Sequence, residues 1–386
     1  MVRWIAAALS LALAGCTQEG LVLDPGPPAF RVDRLAAGPY HTCAIQGGTL
    51  SCWGRNGAHQ LGSADITDSP SPRAIAGADW AEVAAGEQHT CGRRTGGSAW
   101  CWGDDSYGQA GVGPGPAVVP APAFVSTAGP VAQLSTNYDF TCAIDLDGSL
   151  WCWGQNDEGQ LAQDDPFPAP GVNRSAPAQV ETARDWTLID AGQGHACGLR
   201  GSGALFCWGR NSGGELGLGP GAPGQIRTPQ PVGLAADWLE VRSGQGHTCG
   251  RRAGGSLWCW GQNESGQLGT GDGMATLAPT RVGAGSDWTA VTVDTFHSCG
   301  LRGGGSLWCW GRNLEGQLGT GDHADHPVPV QVGADQDWAQ VSAGRFHTCA
   351  RKSDGSLWCW GQDTYGQLGT GDLKDHAVPA RIVAGP

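Results

Sequence analysis

Asp337-Trp338-Ala339-Gln340-Val341, Gly344-Arg345-Phe346-His347-Thr348-Cys349, Gly355-Ser356-Leu357-Trp358-Cys359-Trp360-Gly361 and Gly366-Gln367-Leu368-Gly369-Thr370-Gly371 form one unit of this sequence. Its β-type runs are short, are cut by Gly at regular intervals and show no sustained helical period, so the unit reads as strands joined by tight turns. The unit recurs along the chain. The cysteines pair by spacing as Cys43 with Cys52, Cys91 with Cys101, Cys142 with Cys152, Cys197 with Cys207, Cys249 with Cys259, Cys299 with Cys309 and Cys349 with Cys359. The first members of successive pairs lie 48, 51, 55, 52, 50 and 50 residues apart. The chain is therefore an array of seven repeats, and the fold class expected is all-β.

The cysteine spacing tests this reading at the level of register. If Cys142 faces Cys152 across a hairpin, Asp145 faces Ser149 and Leu146-Asp147-Gly148 is the loop. A three-residue hairpin loop favours Gly at its last position, where the backbone is left-handed. All six ten-spaced pairs place Gly there: Gly97, Gly148, Gly203, Gly255, Gly305 and Gly355. The first pair is one residue closer, and its loop shrinks to Gly47-Gly48, as a two-residue primed turn requires. Directly opposed residues at a non-hydrogen-bonded site lie about 4.5 Å apart at Cα, within disulfide reach. Seven disulfides, each within one hairpin, are predicted. Spacings of the Cys-x2-Cys type, which a zinc site would use, do not occur.

Trp residues flank the second cysteine, as in Trp151 and Trp153, and point away from it, so this strand must be covered on both faces. One hairpin cannot bury two faces, and repeats must stack on their neighbours. A linear stack needs polar end caps, yet the last repeat is as apolar as the middle ones. The chain enters at Arg31 to Leu35 and leaves at Pro379 to Val383, complementary parts of one repeat, so both ends fall at one seam. A closed seven-bladed β-propeller over residues 31–386 is expected.

Composition narrows the function. The 386 residues carry 23 Lys plus Arg against 36 Asp plus Glu, a formal charge of −13, and no basic run exceeds two residues. Nucleic-acid affinity comes mainly from neutralising phosphates, so DNA and RNA are excluded as expected partners. At the start, Arg3 precedes an apolar run from Ile5 to Ala14, too short to span a bilayer, followed by Leu13-Ala14-Gly15-Cys16. This resembles a bacterial lipoprotein signal. Residues 1–15 are read as a signal peptide, and residues 16–30 as lipidated Cys16 with a flexible tether. Paired cysteines suit the oxidising compartment that this implies.

The Gly-x-x-His-Thr-Cys, Leu-Trp-Cys-Trp-Gly-x-Asn and Gly-Gln-Leu-Gly-Thr-Gly patterns together resemble the regulator of chromosome condensation repeat family, from Arg31 to Val383. The resemblance implies a seven-bladed propeller. It also implies two functional precedents: guanine-nucleotide exchange for a nuclear GTPase with chromatin binding, and a secreted enzyme inhibitor that acts purely by binding protein. No inserted hairpin resembling the exchange wedge of the founding members is present in the sequence.

Residues repeated in every blade are first of all architectural. His41, His89, His195, His247, His297 and His347 occupy equivalent positions, with Phe140 in the seventh, and are expected to make structural hydrogen bonds at strand starts. Asp272, Asp322 and Asp372 of Thr-Gly-Asp are expected to cap turns, since no calcium-loop pattern adjoins them. No Gly-x-Ser-x-Gly, His-Glu-x-x-His or phosphate-loop motif occurs, so no catalytic residue, metal or cofactor is assigned. Asp104-Asp105 and Asp164-Asp165 read as solvated carboxylates in connections, acid/base work requiring one of them to be buried.

Two slots vary freely between repeats, the pair before the His and the pair before Gly-Gln. All four Tyr lie in them: Tyr40 and Tyr138 in the first, Tyr107 and Tyr365 in the second. Phe296, Arg345 and Phe346 join the first slot and Leu314 the second. Tyr and Arg are enriched in binding hot spots, and these eight residues are the candidate binding face. Two connections longer than the rest, Ala110 to Pro130 and Ala162 to Arg174, could rim it. The function expected is a non-catalytic protein- or glycan-binding module, monomeric and lipid-anchored at the outer membrane or cell surface. Alternatives are an exchange-factor-like regulator, an enzyme inhibitor, or a carbohydrate-active enzyme using Asp105 or Asp139.

Overall fold

A computed structural model describes residues 30–163 and 172–383. Seven four-stranded antiparallel sheets form, each from four strands consecutive in sequence, and no helix occurs among the described residues. In the first blade the strands are Arg34–Ala37, His41–Gln46, Thr49–Gly54 and Ser69–Ala74, and in the last Trp338–Ala343, His347–Lys352, Leu357–Gly361 and His376–Arg381, each written from axis to rim. The innermost strands of successive blades contact one another all the way round, the last touching the first, so the ring is closed and is a seven-bladed propeller.

The hairpin register follows from the turns. Cys142 opposes Cys152, the Asp145 amide donates to the Ser149 carbonyl at 3.0 Å, and Gly148 closes the three-residue loop at φ +81°. In the first blade Cys43 opposes Cys52 and Gln46 opposes Thr49, with Gly47 at φ +54° and Gly48 at φ +81°. Every cysteine pair is bonded within its own hairpin: Cys43 to Cys52, Cys91 to Cys101, Cys142 to Cys152, Cys197 to Cys207, Cys249 to Cys259, Cys299 to Cys309 and Cys349 to Cys359. In each the Cα atoms are 4.1 Å apart, slightly closer than the spacing expected of opposed residues, and both cysteines are fully buried. Cys52, Cys101, Cys207 and Cys259 lie on third strands, directly before the buried Trp that packs between blades.

The turn glycines also join the blades. The first amide of each inner strand donates to the carbonyl of the preceding blade's turn glycine: Trp80 to Gly48 at 3.0 Å, Trp238 to Gly203 at 3.1 Å, Trp338 to Gly305 at 3.0 Å. At the seam the same bond runs from Val32 to Gly355 at 2.8 Å, and Arg31 bridges Ser356. Phe30 and Val32 are buried there beside Leu357 and Ile382 of the last blade.

Between blades the core is aromatic. The Trp after each second cysteine is fully buried, as in Trp102, Trp208 and Trp360, while the ring before it, Trp in five blades and Phe206 in blade four, is only partly covered. Trp102 packs edge-on against Trp80 at 5.9 Å, and the arrangement recurs in Trp260 with Trp238. The outer strands carry Pro, as at Pro70, Pro279 and Pro379, which suits an edge facing solvent. One sequence reading is corrected here: much of Ala110 to Pro130 is not loop, because Val118–Val125 pairs with the third strand as the outer strand of blade two. Likewise Arg174–Gln179 is the outer strand of blade three. Residues 1–29, including Cys16, and residues 164–171, including Asp164-Asp165, lie outside the described residues.

Candidate functional site

The repeated histidines form a belt between blades. Each begins a second strand, is fully buried, and places Nε2 against a Thr or Ser hydroxyl of the next blade: His41 on Thr90 at 2.7 Å, His247 on Ser298 at 2.9 Å, His347 on Thr42 at 2.9 Å across the seam. Those hydroxyls donate to the carbonyl of the Gly-Gln-Leu-Gly segment, as Ser298 does to Gln267 at 2.8 Å, so they accept from an Nε2–H. Burial pushes the His247 pKa down to about 3, the neighbouring His297 adding to it, and the ring stays neutral. Where Phe140 replaces His, the facing residue is Ala196, and both are buried in one apolar cluster. The belt is architectural.

The Asn of Gly-x-Asn anchors the loop after the third strand. Asn313 Oδ1 accepts the Leu318 amide at 3.0 Å, and its amide donates to the Asp322 carboxylate at 2.7 Å, which also caps Thr320 at 2.8 Å. Asp105 and Asp363 stand where other blades have Asn and accept the Ala110 and Leu368 amides at 2.9 and 2.8 Å. Asp105 is therefore not a solvated loop carboxylate: it is buried, and burial pushes its pKa up to about 6.

The loops from inner to second strand and from third to outer strand leave each blade at the same end, so both variable slots open on one face. Four aromatic rings and three guanidinium groups interleave there. Tyr365 meets Tyr40 edge-on at 5.8 Å, and Arg55 lies over both rings at 5.4 and 5.3 Å. Arg345 lies over Tyr40 and Phe346 at 5.7 and 5.2 Å, and donates to the Tyr40 hydroxyl at 2.7 Å. Phe346 stacks on Phe296 at 6.1 Å, with Arg312 over both and held by Glu315 at 2.9 Å. The ladder crosses blades six, seven and one, including the seam. Leu314 in blade six and Tyr107 in blade two are 60% and 38% exposed on the same face.

Tyr138 does not join them. It is 4% exposed, has φ +38°, and reaches across the axis to Thr295 Oγ1 at 3.2 Å, covering the central channel. Blade three departs from the repeat on both sides of it, with Asn137 for Gly and Phe140 for His, and this was the available signal. Beneath Tyr138 the inner strands enclose a polar cavity of about 240 Å³. It holds Asp190, whose Oδ2 accepts the Ser243 amide at 2.6 Å beside Arg242 at 3.4 Å, and Asp294, which burial pushes up to about 7. Blades two and three make the face acidic opposite the ladder: Gln109 donates to Asp104 at 2.6 Å and reaches Asp139 at 3.5 Å. Burial, then the charges of Glu87 and Asp104, raises Asp139 to about 7. Among the described residues no group of three or more His, Cys, Asp or Glu is arranged to hold a metal.

A family model described as the RCC1-like domain matches residues 115–385, and regulator of chromosome condensation repeats match residues 48–92 and 80–109. The chain belongs to the RCC1-like domain family. It is similar to the ultraviolet-B receptor UVR8 of Arabidopsis thaliana, 30% identical over 64% of this chain and 56% of that protein. It is also similar to the human regulator of chromosome condensation, 31% identical over 43% of this chain and 39% of that one. The chain spans about half the length of UVR8 and less of the human protein. Human WBSCR16 superposes with a TM-score of 0.78 at 21% identity over 87% of this chain and 94% of that one. Prp20p from Saccharomyces cerevisiae, described with its binding to Gsp1p and histones, superposes with a TM-score of 0.77 at 22% identity, covering 89% and 87%. At this identity both establish the fold alone.

One constellation of this RCC1-like domain went unread in the sequence. Near the opposite end of five blades, a cation from the second strand sits between two rings: Arg94 is 4.9 Å from Trp80 and 4.5 Å from Trp100, and Lys352 is 5.0 Å from Trp338 and 5.3 Å from Trp358. Arg200, Arg252 and Arg302 repeat the arrangement. The Asp before the inner-strand Trp pairs with the cation, as Asp237 does with Arg252 at 2.7 Å. The readable signal was the recurrence of Arg or Lys three residues after the first cysteine wherever Asp-Trp opens the repeat.

Proposed function

We propose that this RCC1-like domain is an exported, lipid-anchored module that binds a protein partner through its Arg–aromatic ladder and catalyses no reaction. The observation carrying the proposal is the interleaving of Tyr365, Tyr40, Phe346 and Phe296 with Arg55, Arg345 and Arg312 at the variable positions of an otherwise repeated frame. Guanidinium groups over aromatic faces are held flat, Arg312 by Glu315 and Arg345 by the Tyr40 hydroxyl, and their remaining N–H groups suit carboxylates, so the complementary partner surface presents acidic and apolar side chains together. Export is supported by the Cys16 signal reading and by the seven buried disulfides. The test is a triple variant, Phe296→Ala, Phe346→Ala and Tyr365→Ala, used as bait on solubilised envelope. Capture should fall at least about thirtyfold, as for loss of hot-spot residues, with little change in the midpoint of thermal unfolding. Undiminished capture contradicts the ladder as the binding surface, and capture inhibited by cell-wall glycan assigns the partner to the alternative class.

A second reading, an exchange-factor-like regulator, rests on the similarity to the human regulator of chromosome condensation and the fold shared with Prp20p. It requires cytoplasmic placement. Finding the mature chain in the soluble cytoplasmic fraction, with nucleotide release from a co-purifying GTPase, would replace the first reading by this one.

A further inference from the structure

Blade three breaks the cation sandwich in a directed way. At the register position where five blades carry Arg or Lys it carries Asp145, where they carry the first Trp it carries Val131, and where they carry Asp it carries Pro130, yet it keeps the second ring, Trp151. A cavity of about 400 Å³ opens beside that ring, floored by Asp145, with the 72% exposed Leu146 at its edge. Asp145 is 4% exposed; its Oδ1 and the Trp151 indole N–H approach each other without a well-formed hydrogen bond, and neither has another partner. Arg184, which also lines the cavity, is bonded to Asp147 at 2.7 Å, and among the described residues no cation is paired with Asp145.

We propose that this cavity is a binding site for an external organic cation, the guanidinium of an arginine on a partner protein, which completes from outside the contact that other blades complete with their own side chains. A buried carboxylate beside an indole ring that is partly exposed to the cavity and carries no cation of its own offers a charge-assisted bond and a cation–π face together. Arginine is the cation in four of the five filled blades. The Asp145 pKa is raised, burial being the largest cause, with the nearby indole opposing and the Asp147 charge adding, so an arriving cation meets an anion that solvent stabilises poorly. The site lies on the face opposite the aromatic ladder and is independent of the function proposed for it.

The experiment is an NMR titration of the indole N–H resonances of the intact protein with N-acetyl-arginine amide, using the neutral isostere N-acetyl-citrulline amide as control. A Trp151→Phe variant assigns the Trp151 signal. That signal should shift saturably with the arginine probe, in the millimolar range of a single-residue ligand, and not with citrulline. Asp145→Asn should weaken binding at least tenfold, and Asp145→Arg should abolish it by supplying the cation internally, the remaining indole signals of each variant reporting an intact fold. No saturable shift, an equal shift with citrulline, or undiminished binding to Asp145→Asn would overturn the proposal.

Discussion

His247 contains the chemistry that holds one blade to the next. Its Nε2–H is donated to Ser298, whose hydroxyl is committed to the Gln267 carbonyl, while Nδ1 has no partner. A protonated ring would carry an uncompensated buried charge, and this is why its pKa falls to about 3. Between about pH 3 and the ordinary histidine value the unfolded chain binds a proton that the folded chain refuses, so this group's contribution to stability is lost as pH falls. Asp190 and Asp294, raised to about 6 and 7, act with the opposite sign, the folded chain holding protons that the unfolded chain has released. The overall profile is therefore flattened, and a difference measurement is needed. His247→Phe should lower the slope of unfolding free energy between pH 4 and 6 by about 1.4 kcal/mol per pH unit, read from urea titrations without reductant. It should cost about 2 kcal/mol at pH 7, and Ser298→Ala added to it should recover at least half, because that pair reproduces Phe140 against Ala196. A hydrogen-bonding role was legible from the repetition of the His. The partner was not, because it lies about fifty residues away and is brought near only by ring geometry.

The hairpin is the element in which sequence and structure agree most closely. Spacing and turn chemistry both act locally, so Gly148, Gly305 and the Gly47-Gly48 turn could be placed from residue counting. Their second role, accepting the next blade's first amide, is a tertiary property that no local pattern reports. It separates two neighbouring glycines. Gly304 has φ +85°, and a Cβ there would make only ordinary contact, 3.7 Å from the Gln336 side-chain oxygen, whereas a Cβ on Gly305, at φ +82°, would clash with the Gln336 backbone carbonyl oxygen. Gly304→Ala should cost about 1 kcal/mol through backbone strain alone, and Gly305→Ala about 3 kcal/mol, by equilibrium unfolding. Replacing Cys299 and Cys309 together by Ser should cost about 2–3 kcal/mol, the limit for so short a loop. The cation sandwiches were missed at this scale because Arg after a cysteine reads as a solvated strand end until the neighbouring Trp closes over it.

At the scale of the molecule, the ring places the two variable slots on one face and gathers Tyr40, Phe346 and Tyr365 from blades that meet at the seam. Slot membership was legible, but depth was not. Tyr138 shares the slot of Tyr40 and nevertheless crosses the axis, because Asn137 and Phe140 alter its loop. The seam carries the blade-to-blade bonds of the rest of the ring, such as His347 to Thr42 and Gln340 to the Leu35 carbonyl, and adds Phe30, Val32 and the bridge from Arg31 to Ser356, which tie the start of the described chain to the last blade. Val32→Asp should accelerate amide hydrogen exchange in blades one and seven ahead of the other five, and uniform acceleration would contradict a localised closure. The central claim is a ring of hairpins, each closed by its own disulfide, in a chain that we propose is exported. Non-reducing peptide mass mapping of the protein purified from the membrane fraction of its own cells tests it most directly. The account predicts seven cystine peptides, each joining cysteines of one hairpin, and an N-terminal peptide carrying lipid on Cys16. Free thiols among those fourteen cysteines, bridges between different blades, or an unmodified Cys16 in a cytosolic chain would contradict it.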